Sequence, residues 1–453
     1  MAYFEIKNGV AVIPESVTKI GEAAFRGCSS LQSITIPESV TKIGERAFYG
    51  CSSLQSIIIP ESVTEIGEYA FYDCSSLQNI TIPGSVTKID EGAFLNCSSL
   101  QSIAIPEGVT AIGRGAFDGC SSLQSITIPE SVTEIGRVAF EGCSSLQNIT
   151  ILEGVTKIDS YAFYGCSSLQ CITIPESVTE IGEGAFRGCS LLQNIVVAKG
   201  NPKYDSREGC NAIIDTATNT LIAGFQSTII PESVTEIGER IFVGCNSLQN
   251  IVVAKGNPKY DSREGCNAII ETATNTLIDG CQSTIIPESV TVIGEYAFYD
   301  CNSLQSIIIP KSVTEIGECA FKDCSSLQSI TIPGSVTKIG GGAFEGCSSL
   351  QSITIPESVT VIGRVTFYGC SSLQNIVISK GVKRIEDYAF SGCTALTTIT
   401  LPIGVNKISL YGCEALTTIN VPAKKTDYYK QRLPEPLHSL IVELQPEKKA
   451  KKK

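Results

Sequence analysis

Apolar and polar positions repeat along this chain with a period of 23 residues. One copy of the repeat, beginning at Leu31, reads LQSITIPESVTKIGERAFYGCSS. Within it, Ile34 and Ile36 alternate with Thr35, and alternation with a period of two is typical of a strand with one buried face. Pro37 then ends the strand, because proline has no N–H group to continue a ladder. Each copy therefore predicts one short strand.

The rest of the copy predicts a return path across a hydrophobic core. Val40 and Ile43 are spaced by three residues, and Gly44 permits the next bend. Phe48 and Cys51 close the turn, where we expect a short helical or 3₁₀ segment. One such coil buries too few apolar side chains to offset the conformational entropy that its backbone loses. Neighbouring coils must therefore stack to form a stable core.

A cysteine marks the same position of the repeat in fifteen copies. These ladder cysteines are Cys28, Cys51, Cys74, Cys97, Cys120, Cys143, Cys166, Cys189, Cys245, Cys301, Cys324, Cys347, Cys370, Cys393 and Cys413. A register kept over this length predicts a repeat solenoid, although length alone would suggest about three domains. We predict a mainly β solenoid of about 15 turns, with a parallel sheet on one face and short helical or 3₁₀ turns.

The pattern LxxIxIPxxVxxIGxxAFxxC, which extends from about Val10 to Val421, resembles the BspA-like leucine-rich repeats of anaerobic bacteria and some protozoa. The resemblance implies a right-handed leucine-rich-repeat superhelix. It also implies partner binding, because members of that family resemble surface-exposed adhesion and protein-binding molecules. From the resemblance we expect a bacterial protein at the cell surface or secreted. The N-terminal sequence MAYFEIKNGVAVIPESV has no recognisable secretory signal, which favours a cytoplasmic location instead.

Two copies of the repeat carry an extra 33 residues. The segment Ile195–Ile214 recurs almost unchanged as Ile251–Ile270, and in each copy two short apolar runs flank a polar turn. We predict inserted β-hairpins at about 199–228 and 255–284 that project from one edge. These hairpins are either local elaborations of the fold or protrusions that contact a partner. Their candidate contact residues are Tyr204, Asp205 and Arg207 in the first and Tyr260, Asp261 and Arg263 in the second.

Exposed terminal coils would offer strand edges and apolar surface, so we expect a lid at each end of the array. Residues 1–12 are predicted to form an N-terminal capping coil and residues 13–422 the solenoid. Residues 423–445, which include a short helix, are predicted to form the C-terminal cap. Residues 446–453 are predicted to be a disordered basic tail.

Charge excludes one class of partner. The net charge is −12, even though five lysines lie within the last six residues. Nucleic-acid binding needs basic stripes that this chain lacks, so no nucleic-acid partner is expected. No apolar run is long enough to span a membrane.

The chain offers little material for catalysis. Its one histidine, His438, falls in the predicted cap, away from any candidate nucleophile. The 20 cysteines include no CxxC pair, which argues against a zinc site. Aligned cysteines on stacked coils lie about 4.8 Å apart with parallel Cα–Cβ bonds, a poor geometry for disulfides, so we expect buried, reduced thiols. The off-ladder cysteines, which are expected to be more reactive, are Cys171, Cys210, Cys266, Cys281 and Cys319.

The outward face of the parallel sheet is the second candidate surface, because polar side chains repeat along it. Its representative positions are Gln124, Gln147, Gln170, Gln328 and Gln351. Such rows either bond to one another or bind a partner. We predict a monomeric, non-enzymatic interaction or adhesion protein, without cofactor or metal, that binds a protein or surface glycan through the sheet face and paired hairpins. An intracellular scaffold of the same fold is the alternative.

Overall fold

The computed structural model of the chain describes residues 5–244, 248 and 250–444. It contains two compact units, Met1–Cys245 and Asn246–Lys453. The strands of the first unit are β1 (Ile6–Lys7), β2 (Val10–Val12), β3 (Lys19–Ile20), β4 (Ser33–Thr35), β5 (Lys42–Ile43), β6 (Ser56–Ile58), β7 (Glu65–Ile66), β8 (Asn79–Thr81), β9 (Ala111–Ile112), β10 (Ser125–Ile128), β11 (Glu134–Ile135), β12 (Asn148–Ile151), β13 (Lys157–Ile158), β14 (Cys171–Ile174), β15 (Glu180–Ile181), β16 (Asn194–Val197), β17 (Tyr204–Asp205), β18 (Ala212–Asp215), β19 (Thr220–Gly224), β20 (Ile229–Ile230) and β21 (Glu236–Ile237).

The second unit is also built from short strands. Its strands are β22 (Val252–Val253), β23 (Tyr260–Asp261), β24 (Ala268–Glu271), β25 (Thr276–Gly280), β26 (Val292–Ile293), β27 (Ser306–Ile308), β28 (Glu315–Ile316), β29 (Ser329–Thr331), β30 (Lys338–Ile339), β31 (Ser352–Ile355), β32 (Val361–Ile362), β33 (Asn375–Ile378), β34 (Arg384–Ile385), β35 (Thr398–Thr400), β36 (Thr418–Val421) and β37 (Ile441–Glu443). The described residues contain one α-helix, α1 (Thr426–Lys430). The 3₁₀ helices span Arg207–Gly209, Arg263–Gly265 and Glu435–Leu440.

Parallel pairing between equivalent residues of successive coils builds each unit. In the first unit, β2, β4, β6 and β8 form one parallel sheet and β10, β12, β14 and β16 form another, and isolated bridges at Ser102 connect the two. Ile34 of β4 pairs with Ile57 of β6, one period further along the chain. The return path adds a second ladder of two-residue strands, β3, β5 and β7, and then β9, β11, β13 and β15.

The second unit has the same construction. Strands β27, β29, β31, β33, β35, β36 and β37 form one parallel sheet, while β26, β28 and β30 belong to the return path. Buried isoleucines alternate with exposed residues in these strands, as in β31, where Ile353 and Ile355 are buried and Thr354 is exposed. The parallel, period-two strands confirm the predicted mainly β leucine-rich-repeat solenoid.

The closing turn of each coil is held by two kinds of hydrogen bond. The Phe48 N–H donates to the Ala70 carbonyl of the next coil over 2.8 Å, while the Cys51 N–H donates back to the Phe48 carbonyl over 3.1 Å. The second bond has the i→i−3 spacing of a 3₁₀ helix. Bonds of the two kinds alternate along the turn, so every other N–H donates to the next coil instead of within its own coil. The expected helical segment is therefore a run of 3₁₀-type turns bonded to the neighbouring coil.

Stacked phenylalanine rings fill the core behind these turns. In the first unit, rings from Phe25 to Phe163 stack on the next ring at centroid separations of 5.2–5.5 Å. In the second unit, rings from Phe298 to Phe390 stack at 5.0–5.5 Å. Isoleucine, valine and leucine side chains of the strands and the return path complete the buried layer. The repeat of the sequence thus becomes a repeat of identical interfaces.

The inserts differ from the predicted projecting hairpins. In the first, β18 and β19 form the expected hairpin, but β17 adds a third antiparallel strand on β18. Strand β19 also pairs in parallel with β21, since Leu221 lies opposite Ile237. In the second insert, β23, β24 and β25 have the same order, and β25 pairs with β26. The projection expected from the sequence is therefore wrong, because each hairpin occupies a place in the return-path ladder of the coil that follows it.

The two ends carry distinct elements. Strand β1 pairs antiparallel with β2, and β37 pairs in parallel with β36. Tyr429 of α1 is fully buried and donates its hydroxyl to the carbonyl of Pro402. These contacts, made by residues within 5–12 and 423–444, support the lids that the sequence proposes at 1–12 and 423–445. The tail 446–453, predicted to be disordered, lies outside the described residues.

Candidate interaction surface

The sheet face presents rows of polar side chains with free hydrogen-bonding capacity. The five candidate glutamines are exposed: Gln124, Gln147, Gln170, Gln328 and Gln351. Their backbones are paired, as where the Gln147 N–H donates to the Gln124 carbonyl over 2.9 Å. Their side chains form no hydrogen bond with any other described residue. The amides therefore do not form the self-bonded ladder that one sequence interpretation allowed.

Aliphatic side chains interrupt the polar rows at the second outward position of the strand. Ile58 is 79% exposed and Ile308 is 87% exposed, although their paired neighbours at this position are threonines. Val377, 56% exposed, likewise lies between Thr354 and Thr400. The sequence analysis did not single these residues out. The signal available was their departure from the threonine of the repeat at a position predicted to face outward.

The two candidate tyrosines of the inserts lie in the core. Tyr204 is 3% exposed and Tyr260 is 5% exposed. The Tyr204 hydroxyl accepts a hydrogen bond from the N–H of Ile181 over 3.1 Å. In a coil without an insert, such as that of Ile89, this N–H donates to a carbonyl of the next coil. Tyr204 therefore replaces a ladder partner that the insert has displaced, and the buried rings offer almost no surface to a partner.

The charged residues of the inserts pair with each other and with the following coil. Arg207 Nε donates to both carboxylate oxygens of Asp205 at 2.9 Å, and its Nη1 donates to Asn219 and Ser233 at 3.0 and 3.2 Å. The second insert repeats this geometry, with Arg263 donating to Asp261, Asn275 and Ser289. These partly buried pairs hold the turn of each insert in place. A role in partner binding for the six insert residues stays a prediction.

Asn201 is an insert residue whose role the sequence analysis missed. Its side-chain NH₂ donates to the carbonyls of Pro175 and Val178, both at 2.8 Å, and its side-chain oxygen accepts from the N–H groups of Lys203 and Tyr204. One amide thus joins the preceding coil to the start of β17. An asparagine before a proline is a turn signal, but its distant partners are visible only in the fold.

The ladder cysteines have a polar role in addition to filling space. Cys51 Sγ lies 3.1 Å from the carbonyl oxygen of Phe25, and Cys143 Sγ lies 3.2 Å from that of Phe117 in the preceding coil. Each thiol thus donates to a carbonyl one coil back. Burial raises the pKa of the Cys51 thiol to about 12, so the reactive thiolate is suppressed.

Thiol accessibility corrects two predictions from the sequence. All of the described cysteines are free, as expected, but Cys28 and Cys301 of the ladder are only partly buried, and Cys245 lies outside the described residues. Three off-ladder cysteines that were expected to be reactive are instead buried, because the inserts pack them into the core: Cys210, Cys266 and Cys281. Cys319 is partly buried, whereas Cys171 is exposed on the sheet face.

Chemical groups suited to catalysis are dispersed in the part of the chain that the structure describes. No three His, Cys, Asp or Glu residues lie close enough there to hold a metal ion. His438 Nε2 lies 2.9 Å from the Leu433 carbonyl, within the C-terminal segment. Among the same residues, no helix is both long and apolar enough to cross a membrane.

Stacked coils with a parallel sheet, a leucine and isoleucine core and one turn per period that a cysteine closes define a leucine-rich-repeat protein. The chain belongs to the BspA type leucine rich repeat family, whose model matches residues 3–124, 110–207, 214–267, 279–370 and 360–433. No curated protein is similar enough to the chain to match it.

Solved structures of bacterial repeat proteins are similar to the chain. A leucine rich cell surface protein from Faecalibacterium prausnitzii is 27% identical over 95% of this chain and 91% of its own, with a TM-score of 0.42. A leucine-rich repeat protein from Eubacterium ventriosum is 26% identical over 71% and 79%, with a TM-score of 0.45. The leucine rich repeat protein of T. pallidum is 32% identical over 41% and 78%, with a TM-score of 0.34.

Proposed function

We propose that this chain is a non-enzymatic interaction protein in which the sheet face of each unit binds a protein partner. The observation that carries the proposal is that Ile58, Ile308 and Val377 are exposed while each pairs with a threonine at the same outward position of a neighbouring strand. Isolated apolar side chains are normal on protein surfaces. Here, however, each occupies a position where the repeat itself supplies a polar alternative of similar shape.

These exposed aliphatic residues would contribute free energy of binding when a partner covers them. An exposed isoleucine gains about 1.5–3 kcal/mol when it is fully buried against a partner. The surrounding glutamine and threonine side chains can supply the polar rim that interfaces usually have. Charged residues are few on these strands, so desolvating the face costs little electrostatic energy.

The proposed surface leaves out the insert tyrosines, because they are buried. The Asp205–Arg207 and Asp261–Arg263 pairs remain candidates for contacts at its margin. A glycan is the competing ligand, since the glutamine rows could bond to sugar hydroxyls, and a monomer suffices for either ligand.

The test compares a protein array and a glycan array probed with the labelled full chain. Variants Ile58→Thr, Ile308→Thr and Val377→Thr are combined, so that each introduced residue is the one the repeat already uses there. The control, Ile403→Thr, removes an isoleucine that is 60% exposed outside the strands. We expect protein hits that weaken at least tenfold in the triple variant and remain unchanged in the control. Hits on glycans alone, or unchanged protein binding, would refute the proposal.

A further inference from the structure

The first insert opens a cavity in the first unit, between the coil at 182–189 and the coil at 238–244. The cavity has a volume of about 350 Å³. Its apolar lining comes from both coils and from the hairpin: Phe186, Ile213, Ile222, Phe225, Ile241 and Val243. None of the sheet-face residues proposed above lines it.

The cavity exists because the regular stack is interrupted here. Phe186 stacks on Phe163 behind it, but on its other side it meets Phe225 of the insert edge-on, at 6.4 Å and 71°. Ile241 also stands where most other coils have alanine at the core of the turn, as at Ala47. A larger side chain at this position keeps the following coil from closing onto the preceding one.

Interrupted stacking leaves backbone donors without acceptors. In the preceding coil, the N–H groups of Tyr161 and Phe163 donate to the carbonyls of Glu183 and Ala185 at 2.9 and 2.8 Å. The equivalent N–H groups one coil later, those of Gly184 and Phe186, have no acceptor among the described residues. Both residues line the cavity. Buried backbone N–H groups without a partner are rare in native proteins and costly.

A buried cationic donor lies in the same wall. Arg187 Nε is inaccessible to solvent and has no partner among the described residues, while the guanidinium carbon lies 5.7 Å from the centre of the Tyr161 ring. The two carboxylates in the lining, Glu183 and Glu239, belong to exposed residues, and Glu183 already accepts a hydrogen bond from the Tyr161 hydroxyl. The two backbone N–H groups and the Arg187 Nε in the cavity wall therefore lack a hydrogen-bond acceptor among the described residues.

We propose that this cavity binds a small monocarboxylate with an apolar body. A carboxylate accepts up to about four hydrogen bonds, which suits two N–H groups and one guanidinium donor. The body of the ligand packs against Phe186 and Phe225, which line the cavity together and offer aromatic surface to a ligand ring. A volume of about 350 Å³ lies at the small end of ligand pockets, so the ligand has the size of a single-ring acid.

The second insert supplies the test variant. Its residue Asp279 occupies the position that Ala223 holds in the first insert, so Ala223→Asp introduces a side chain that this hairpin accommodates elsewhere in the chain. Ala223 lines the cavity, so the longer side chain of an aspartate there would occupy space that the ligand needs. Ala104→Asp is the matched control, because it introduces the same side chain into the same unit at an exposed residue outside this cavity.

The experiment is titration calorimetry of the full chain with sodium phenylacetate and, separately, with the uncharged phenylacetamide. We expect phenylacetate to bind at least tenfold more tightly than the amide. Ala223→Asp should weaken phenylacetate binding at least tenfold, and Ala104→Asp should leave it unchanged. Arg187→Gln, which tests the donor directly, should weaken phenylacetate more than the amide and serves alone if Ala223→Asp does not fold. Failure of phenylacetate to bind, equal binding of the amide, or full binding by a folded Ala223→Asp or Arg187→Gln variant overturns the proposal.

Discussion

Replacing Tyr204 by phenylalanine tests whether the insert tyrosine is a ladder partner. The substitution keeps the ring, which is 3% exposed, and removes only the hydroxyl that accepts from the Ile181 N–H over 3.1 Å. The Ile181 N–H, which lies at the end of the β13–β15 ladder, would then lose this acceptor. The sequence had suggested this residue as a partner contact, so the two interpretations make opposite predictions.

The hydrogen bond is partly buried, so the cost of an unsatisfied buried donor sets the upper end of the expected magnitude. Removing one partner of a buried hydrogen bond typically costs about 1–3 kcal/mol. That cost corresponds to a change of roughly 5- to 150-fold in an equilibrium constant. Because a long repeat array need not unfold in one step, the effect should be sought locally as well as in the global transition.

The assay is native-state hydrogen exchange, with urea unfolding beside it. In Tyr204→Phe, the Ile181 amide should exchange roughly 5- to 150-fold faster, whereas amides of distant coils such as that of Phe71 should not change. Tyr411→Phe, at an exposed tyrosine, is the control and should leave exchange and unfolding unchanged. Unchanged Ile181 exchange together with weaker partner binding would restore Tyr204 as a contact residue and refute the ladder role.

Three further substitutions or measurements test the core. Phe117→Ala, in a buried ring stacked between two others at 5.4 and 5.2 Å, should cost about 3–5 kcal/mol in urea unfolding. Thiol titration of the native chain should detect Cys171 first and only a few other groups, against all 20 after denaturation, because burial suppresses thiolates such as that of Cys51. Burial raises the pKa of Asp279 well above its usual value. The folded state therefore holds that proton more tightly, and stability falls as the pH rises from the unfolded pKa towards the folded one. Asp279→Ala, the residue of the first insert, should raise the urea midpoint near neutral pH and have less effect in acid.

Each of these expectations has a contrary result. A Phe117→Ala variant as stable as the parent would show that the ring stack contributes little. Several native disulfides would contradict the reduced ladder. A gain from Asp279→Ala that is larger in acid than at neutral pH would have the wrong sign for a carboxyl with a raised pKa.

The regular coils could be predicted from the sequence because their partners recur at a fixed distance along the chain. Ile34 pairs with Ile57 for the same reason that Ile57 pairs with Ile80, so one period determines the register of the others. The hydrogen bonds from cysteine thiols to phenylalanine carbonyls were missed, since hydrophobicity alone explained a buried cysteine.

The inserts were predicted less well because they break the period. Tyr204 and Arg207 have the residue types of an interface, and nothing near them in sequence indicates the Ile181 N–H or Ser233 as partners. Their contacts depend on how the chain re-enters the stack after the hairpin. The exposed Ile308 was missed for a different reason. It stands out only when the outward positions of successive strands are compared one by one with the threonine of the repeat.

The identity of successive coil interfaces has a consequence for how the length of such a chain can change. The face that one coil offers through Phe48, Ile43 and Ile34 is nearly the face that the next offers through Phe71, Ile66 and Ile57. Loss of one 23-residue period, such as residues 52–74, would bring together two surfaces that already fit. Recombination between near-identical repeats can therefore shorten or extend the array by whole coils without creating a mismatched junction. The first insert is an exception, because a break within it would separate Tyr204 and Arg207 from their hydrogen-bond partners in the neighbouring coils.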